Sequence, residues 1–210
     1  MSPGAGNTAL VGRRAELAAA LRLVDAVAHG EGAMLLITGE AGIGKTRLVQ
    51  EVAARAAVVG LPVLRGRAVL GGGTFRAVAE ALARPLREHS LLESARLRPF
   101  RMALGRLVPD WIEQDQATDT VPGPVADPTV VLGEGVLALL DELARLHGSP
   151  GCVLVLEDLH WADADTLGLV TYLADAVQAA AVLLVVTARD DAKWPGIPVS
   201  APAPRSRHWR

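Results

Sequence analysis

Half of the 210 residues are hydrophobic and only 3% are aromatic, so the chain can bury one α/β core, and aliphatic side chains must fill it. A formal net charge of −2 gives no electrostatic ground for nucleic-acid binding by the chain itself, and any DNA contact is expected to lie outside it. The single cysteine, Cys152, excludes an intramolecular disulfide and a cysteine-cluster metal site, and no apolar run is long enough to span a bilayer; the expected setting is a reducing cytoplasm with no membrane partner.

In chain order, residues 1–9 are small and polar, lack an apolar signal core, and are expected to be disordered. Leu10-Val11-Gly12-Arg13-Arg14-Ala15-Glu16 then leads into a helix with Leu17, Leu21, Val24 and Ala28 on one face and His29-Gly30 as its stop. Taken alone, Val11-Gly12-Arg13 reads as a turn before a helix. Just ahead of a phosphate loop it becomes a candidate for the adenine end of a pocket.

That loop follows directly. Met34-Leu35-Leu36-Ile37-Thr38 is β-prone, and Leu48, Val49, Val52, Ala53 and Ala56 recur at helical spacing. Between them, Gly39-Glu40-Ala41-Gly42-Ile43-Gly44-Lys45-Thr46, followed by Arg47, fits GxxxxGK(S/T) at a strand-to-helix turn. Gly39 and Gly44 let the backbone bring its N–H groups close to phosphate oxygens, and the helix directs the positive end of its dipole at them. Lys45 is expected to reach the β- and γ-phosphates, and the Thr46 hydroxyl to ligate Mg²⁺. A glycine-rich turn with an incidental lysine is the competing reading. It is disfavoured because lysine occurs only here and at Lys193, arginine supplying the other positive charges.

Beyond the loop helix, which should end near Gly60, Leu61-Pro62-Val63-Leu64-Arg65-Gly66 forms a second short strand. Gly71-Gly72-Gly73 reads as a linker, because it lacks a following Lys-Thr pair. The helical pattern from Phe75 to His89 should kink or end at Pro85, and Pro99 breaks the next segment. Pro109, Pro122, Pro124 and Pro128 mark a loop, in which Trp111 is either a core anchor or an exposed contact. A helix over 130–146 carries Val136, Leu139, Leu140, Leu143 and Leu146 on its apolar face and stops at Gly148, Pro150 and Gly151. Cys152-Val153-Leu154-Val155-Leu156-Glu157-Asp158 is continuously apolar up to its two acids, the pattern of a strand covered on both faces, with Cys152 as a small buried hydrophobe. A helix over about 163–177 and a strand over 182–187, ending in Ala188-Arg189-Asp190, complete the pattern.

Glu157 and Asp158 fall where strand ends of a doubly wound sheet face a ligand. With the phosphate loop present, they are candidates for Mg²⁺ ligation and for handling the attacking water. Glu157 is assigned to the metal and Asp158 to the water, although the two roles are exchangeable on sequence. Arg189 is either a solvated strand-end residue or a partner of Asp190 or Asp191, or else a group that senses the γ-phosphate or stabilises charge in the transition state. His160 and Trp161 lie on the loop beside the acids, and Asp163 is equally suited to cap the next helix.

GEAGIGKTRL at 39–48 and LVLEDLHWAD at 154–163 together resemble the signal-transduction ATPases of the STAND class, AAA-like P-loop domains of large ATP-binding LuxR-type regulators. LVGRRAEL at 10–17 is similar to their adenine-proximal box, and VVTARD at 185–190 to sensor 1. The resemblance implies a P-loop NTPase fold, a mainly parallel sheet with helices on both faces, over residues 10–190. It implies ATP and Mg²⁺ as ligands and an ATP-driven switch that hydrolyses slowly, with ADP as the other bound state. It also implies a lid, a winged helix and effector domains, none of which is present; they are expected as missing C-terminal domains or as a protein partner in trans. Residues 191–210 read as an irregular Pro/Arg-rich tail, so the core is expected to be incomplete at its C-terminal end. The strand holding the phosphate loop would then be an exposed edge, and self-association is expected unless the tail folds back as cover.

Two function classes remain: a switch ATPase, and a nucleotide-binding or interaction module without useful turnover. A small-molecule kinase shares the loop, but no acceptor-binding signature accompanies it.

Overall fold

The computed structural model describes residues 14–88, 91, 94–107, 127–190 and 206–209, the last as backbone only. Val11-Gly12-Arg13, Trp111 and most of the proline-rich loop lie outside these residues. The elements are α1 (Arg14–Ala28), β1 (Ala33–Thr38), α2 (Lys45–Val58), β2 (Val63–Arg67), α3 (Arg76–Glu88), α4 (Arg101–Leu104), α5 (Pro128–Leu146), β3 (Cys152–Glu157), α6 (Ala164–Ala176), β4 (Val182–Ala188) and β5 (Ser206–Trp209). All strand pairings are parallel, in the order β2-β3-β4-β1-β5.

Every residue of β3 and β4 is buried, because alternate side chains enter two separate cores. Leu35, Ile37, Val153, Val155, Leu183 and Val185 meet α1 and α2 on one face. Leu36, Cys152, Leu154, Leu156, Leu184 and Val186 meet α3, α5 and α6 on the other. The result is a three-layer αβα sandwich. Cys152 is fully buried, and loss of hydration is the main cause pushing its thiol pKa up to about 12.

Several local expectations are corrected. The buried stripe of α1 is Ala20, Leu23, Val24 and Val27, turned from the predicted Leu17 and Leu21. Leu146, the final residue of α5, is exposed, while the helix buries Leu132, Val136, Leu139, Leu140 and Leu143. Pro85 neither ends α3 nor bounds it; the helix continues to Glu88. Pro99 opens a helical turn at Arg98–Phe100, and Pro128 starts α5 behind the N-cap Asp127, positions where the missing N–H would have had no helical partner.

At the sheet edge the alternative holds in which the tail folds back as cover, and the expectation of a wholly irregular tail is corrected. Ser206–Trp209 pairs in parallel with Met34–Ile37, so β1 has a neighbour on both sides and the edges fall at β2 and β5. Four residues between the proline-rich stretch and the end of the chain are too few to show a period-two pattern. The open backbone of β1 supplies the hydrogen bonds that select them, and the stated cause of self-association is removed.

One close approach is decided by glycine. A Cβ on Gly66 of β2 would stand 1.8 Å from the Ala77 carbonyl oxygen, so α3 sits on the sheet only because that side chain is absent. Gly168 in α6 is exposed with open space around it. Gly66→Ala should therefore lower stability by about 1–3 kcal/mol, whereas Gly168→Ala should raise it by about 0.5–1 kcal/mol, both read from urea unfolding.

Candidate functional site

Parallel register carries three loops to one edge. Thr38 lies opposite Ala188 and Leu156 opposite Val186, so the chain leaves β1, β3 and β4 side by side at their carboxyl ends. The cleft there has a volume of about 410 Å³ and is lined by Ala41, Gly42, Gly44, Lys45, Thr46, Asp158, His160, Trp161 and Arg189.

The loop after β1 depends on backbone angles that side chains resist. Gly39, Gly42 and Gly44 have φ of 150°, 80° and 101°, and a Cβ on Gly39 would press to 2.9 Å from Ile43 Cγ2. Gly44 caps α2 with no side-chain hydrogen bond, leaving the dipole end of a 14-residue helix for a ligand. Lys45 Nζ donates to the Gly39 and Glu40 carbonyls at 2.7 and 2.9 Å, which holds the ammonium across the mouth of the loop. Glu40 and Ile43 frame the loop without lining the cleft, and Arg47 pairs with Glu51 one turn along α2, at 2.7 Å.

The two acids have different surroundings. Asp158 lines the cleft in a left-handed conformation, φ 58° and ψ 37°, with its N–H donated to Thr187 Oγ1 at 2.9 Å. Glu157 is 7% exposed. Its Oε1 accepts from Arg65 Nη2 at 2.7 Å, and Arg67 lies 3.9 Å from its Oε2 and 3.2 Å from Asp158 Oδ2. Arg65 and Arg67 of β2, with Thr187, are the site residues that the sequence reading missed. Their signal is faint: arginines two apart on a strand, alternating with Leu64 and Gly66, become partners of Glu157 only once β2 is known to pair with β3.

A 3₁₀ turn, Leu159–Trp161, brings His160 and Trp161 into the cleft. The rings are 4.9 Å apart at 44°, and Arg189 Cζ lies 5.7 Å from the Trp161 centroid. The donor set fits a magnesium nucleotide: free helix N–H groups, a lysine, a threonine hydroxyl and a carboxylate share one cleft. Among the described residues no cluster of three or more His, Cys, Asp or Glu could hold a metal by protein ligands alone. That agrees with an ion ligated largely by phosphate and water.

A phosphate loop on an interior strand of a parallel αβα sheet, with an acid and an arginine at strand ends on the same edge, defines a nucleotide-binding P-loop protein. Residues 9–186 match the AAA ATPase domain, and the chain belongs to that family. It is also 29% identical, over 191 residues, to an uncharacterized protein of Rhizobium meliloti (strain 1021); the match covers 86% of this chain and 18% of that relative. A chain in the structure of Drosophila ORC bound to GC-rich DNA and Cdc6 is 10% identical with a TM-score of 0.34, covering 91% of this chain and 55% of that one. The fold assignment rests on the sheet order and the family match. Among the described residues no helix is long and apolar enough to cross a membrane.

Asp163 acts as the N-cap of α6. Its Oδ1 accepts from the Asp165 and Thr166 N–H groups at 3.0 Å each, and its Oδ2 from Thr166 Oγ1 at 2.6 Å. Thr166 Oγ1 in turn accepts the Phe75 N–H at 2.8 Å, fixing Phe75 at a φ of 60°. Partial burial pushes the Asp163 carboxyl pKa up, but the Thr166 hydroxyl and the backbone donors outweigh it and hold the group below its ordinary 3.8. A lowered folded-state pKa contributes stability above the ordinary value, and that contribution fades as pH falls through the folded value. Asp163→Ala should cost about 1 kcal/mol at pH 7 in urea unfolding, with a smaller difference from wild type below about pH 4.

Proposed function

We propose that the chain is an ATP-binding and slowly ATP-hydrolysing switch module. The observation that carries this reading is the shared cleft of Lys45, Thr46, Asp158 and Arg189 at the carboxyl ends of β1, β3 and β4. The backbone of residues 39–46 and the α2 N-terminus bind the phosphates, Lys45 exchanges its two loop carbonyls for β- and γ-oxygens, and Thr46 with a carboxylate holds Mg²⁺. The ion, when bound, spreads the charge that builds on those oxygens. Water attacks the γ-phosphorus, the bond to the β–γ bridging oxygen breaks, and ADP and phosphate leave; the protein contributes mainly position and electrostatics. Arg189 is placed to sense and stabilise the γ-phosphate.

The metal role is better assigned to Asp158 than to Glu157, which the sequence reading had favoured. Asp158 lines the cleft with Thr46 and takes the metal role, exchanging its exposed partner Arg67 for the ion, whereas Glu157 is nearly buried, is held by Arg65 and does not line the cleft. Val11-Gly12-Arg13 is retained as the adenine-side segment on motif resemblance alone. That resemblance also supports a cytoplasmic LuxR-type STAND regulator as the parent protein, with ATP state read by further domains or a partner. The 18% coverage of a longer relative supports a module within a larger polypeptide.

Phosphate release in Mg²⁺ should exceed background and fall about 100-fold or more in Lys45→Ala. Binding of ATP with no release by the wild-type protein would favour the module without turnover. In Asp158→Asn nucleotide affinity should lose its dependence on Mg²⁺, while Glu157→Gln should keep it; the opposite result restores Glu157 as the metal ligand.

A further inference from the structure

Arg189 presents an electrostatic problem that the fold solves without a carboxylate. It follows β4 at the edge where Glu157 and Asp158 emerge, yet among the described residues it forms no salt bridge; Arg65 and Arg67 hold the acids instead. Its contact is the face of Trp161, with Cζ 5.7 Å from the ring centroid, inside the range of about 6 Å for cation–π attraction. The difference is chemical. A carboxylate would consume the N–H fork of the guanidinium, whereas attraction of the cation to a ring face takes up no hydrogen-bond acceptor and leaves N–H donors for a phosphate.

Trp161 is itself fixed. Its backbone N–H donates to the Asp158 carbonyl at 3.0 Å, and its ring rests against His160. It is 40% exposed within the phosphate cleft, so core packing does not account for a ring of this size here.

We infer that Trp161 is a positioning residue for the γ-phosphate reaction: its indole face carries the Arg189 guanidinium over the cleft with the N–H edge free. This rests on the ATPase reading. Phosphate release, Mg-ATP and Mg-ADP affinities, and the indole ¹⁵N–¹H spectrum would be measured on the full chain and its variants. Trp161→Leu should lower kcat about two- to fivefold, the range of a half-exposed cation–π contact, with Mg-ADP affinity kept. Trp161→Phe, which retains an aromatic face, should recover most of that loss. The double variant Trp161→Leu/Arg189→Ala should be no slower than Arg189→Ala alone. The indole signal missing from Trp161→Phe should shift in Arg189→Ala without nucleotide. Wild-type turnover in Trp161→Leu, losses that multiply in the double variant, or an unmoved indole signal would each overturn the inference. If the wild-type chain neither binds Mg-ATP nor releases phosphate, the ATPase reading falls and takes the positioning role with it. The indole shift then shows that the failure lies with the nucleotide, not with the Trp161–Arg189 pair.

Discussion

Everything in the site depends on β4 lying between β1 and β3 in parallel register. Parallel pairing aligns carboxyl ends, so the loops after Thr38, Glu157 and Ala188 leave the sheet together even though more than a hundred residues separate the first from the second. Burial on both faces fixes that register: a shift of one residue would exchange Leu183 and Val185 with Leu184 and Val186 between the two cores. The cleft is thus positioned by aliphatic packing far from any charge.

Within the cleft, the charged groups are divided among different partners. The arginines of the edge strand β2 occupy the acids, and an aromatic ring occupies the arginine of β4. Asp158 already has Arg67 as its partner, so Arg189 is left without a carboxylate among the described residues. Asp158 is further constrained by the Thr187 hydroxyl, which accepts its N–H and supports a left-handed backbone that a non-glycine residue adopts at some cost. These restraints preorganise the site, so little reorganisation remains when phosphate enters.

The phosphate loop was legible in the sequence because its chemistry demands particular residues at particular spacing, and β3 because continuous burial leaves a run from Cys152 to Leu156 with no polar residue. The ends of elements were harder. Pro99 and Pro128 read as breaks, yet proline in the first turn of a helix breaks nothing. The stripe of α1 was displaced because alanine is compatible with either face, and Ala20 is buried while Ala18 is not. Arg65, Arg67 and Thr187 were invisible for a different reason: their roles arise from strand pairing, which no local pattern encodes. β5 was missed for the same reason, its four residues having significance only beside β1.

The pairing of Met34 with Ser206 also sets an order of assembly. The strand bearing the phosphate loop is made first, and its outer neighbour follows only after β2, β3 and β4. Until then β1 can pair with β4 alone, once β4 has been made, and offers one unsatisfied, strongly apolar edge to any other strand in reach. Closing so long a loop is slow compared with local helix formation. Ser206–Trp209 therefore bear on the fate of the nascent chain, because their pairing ends the time in which its nucleotide-binding strand can be captured by a second copy.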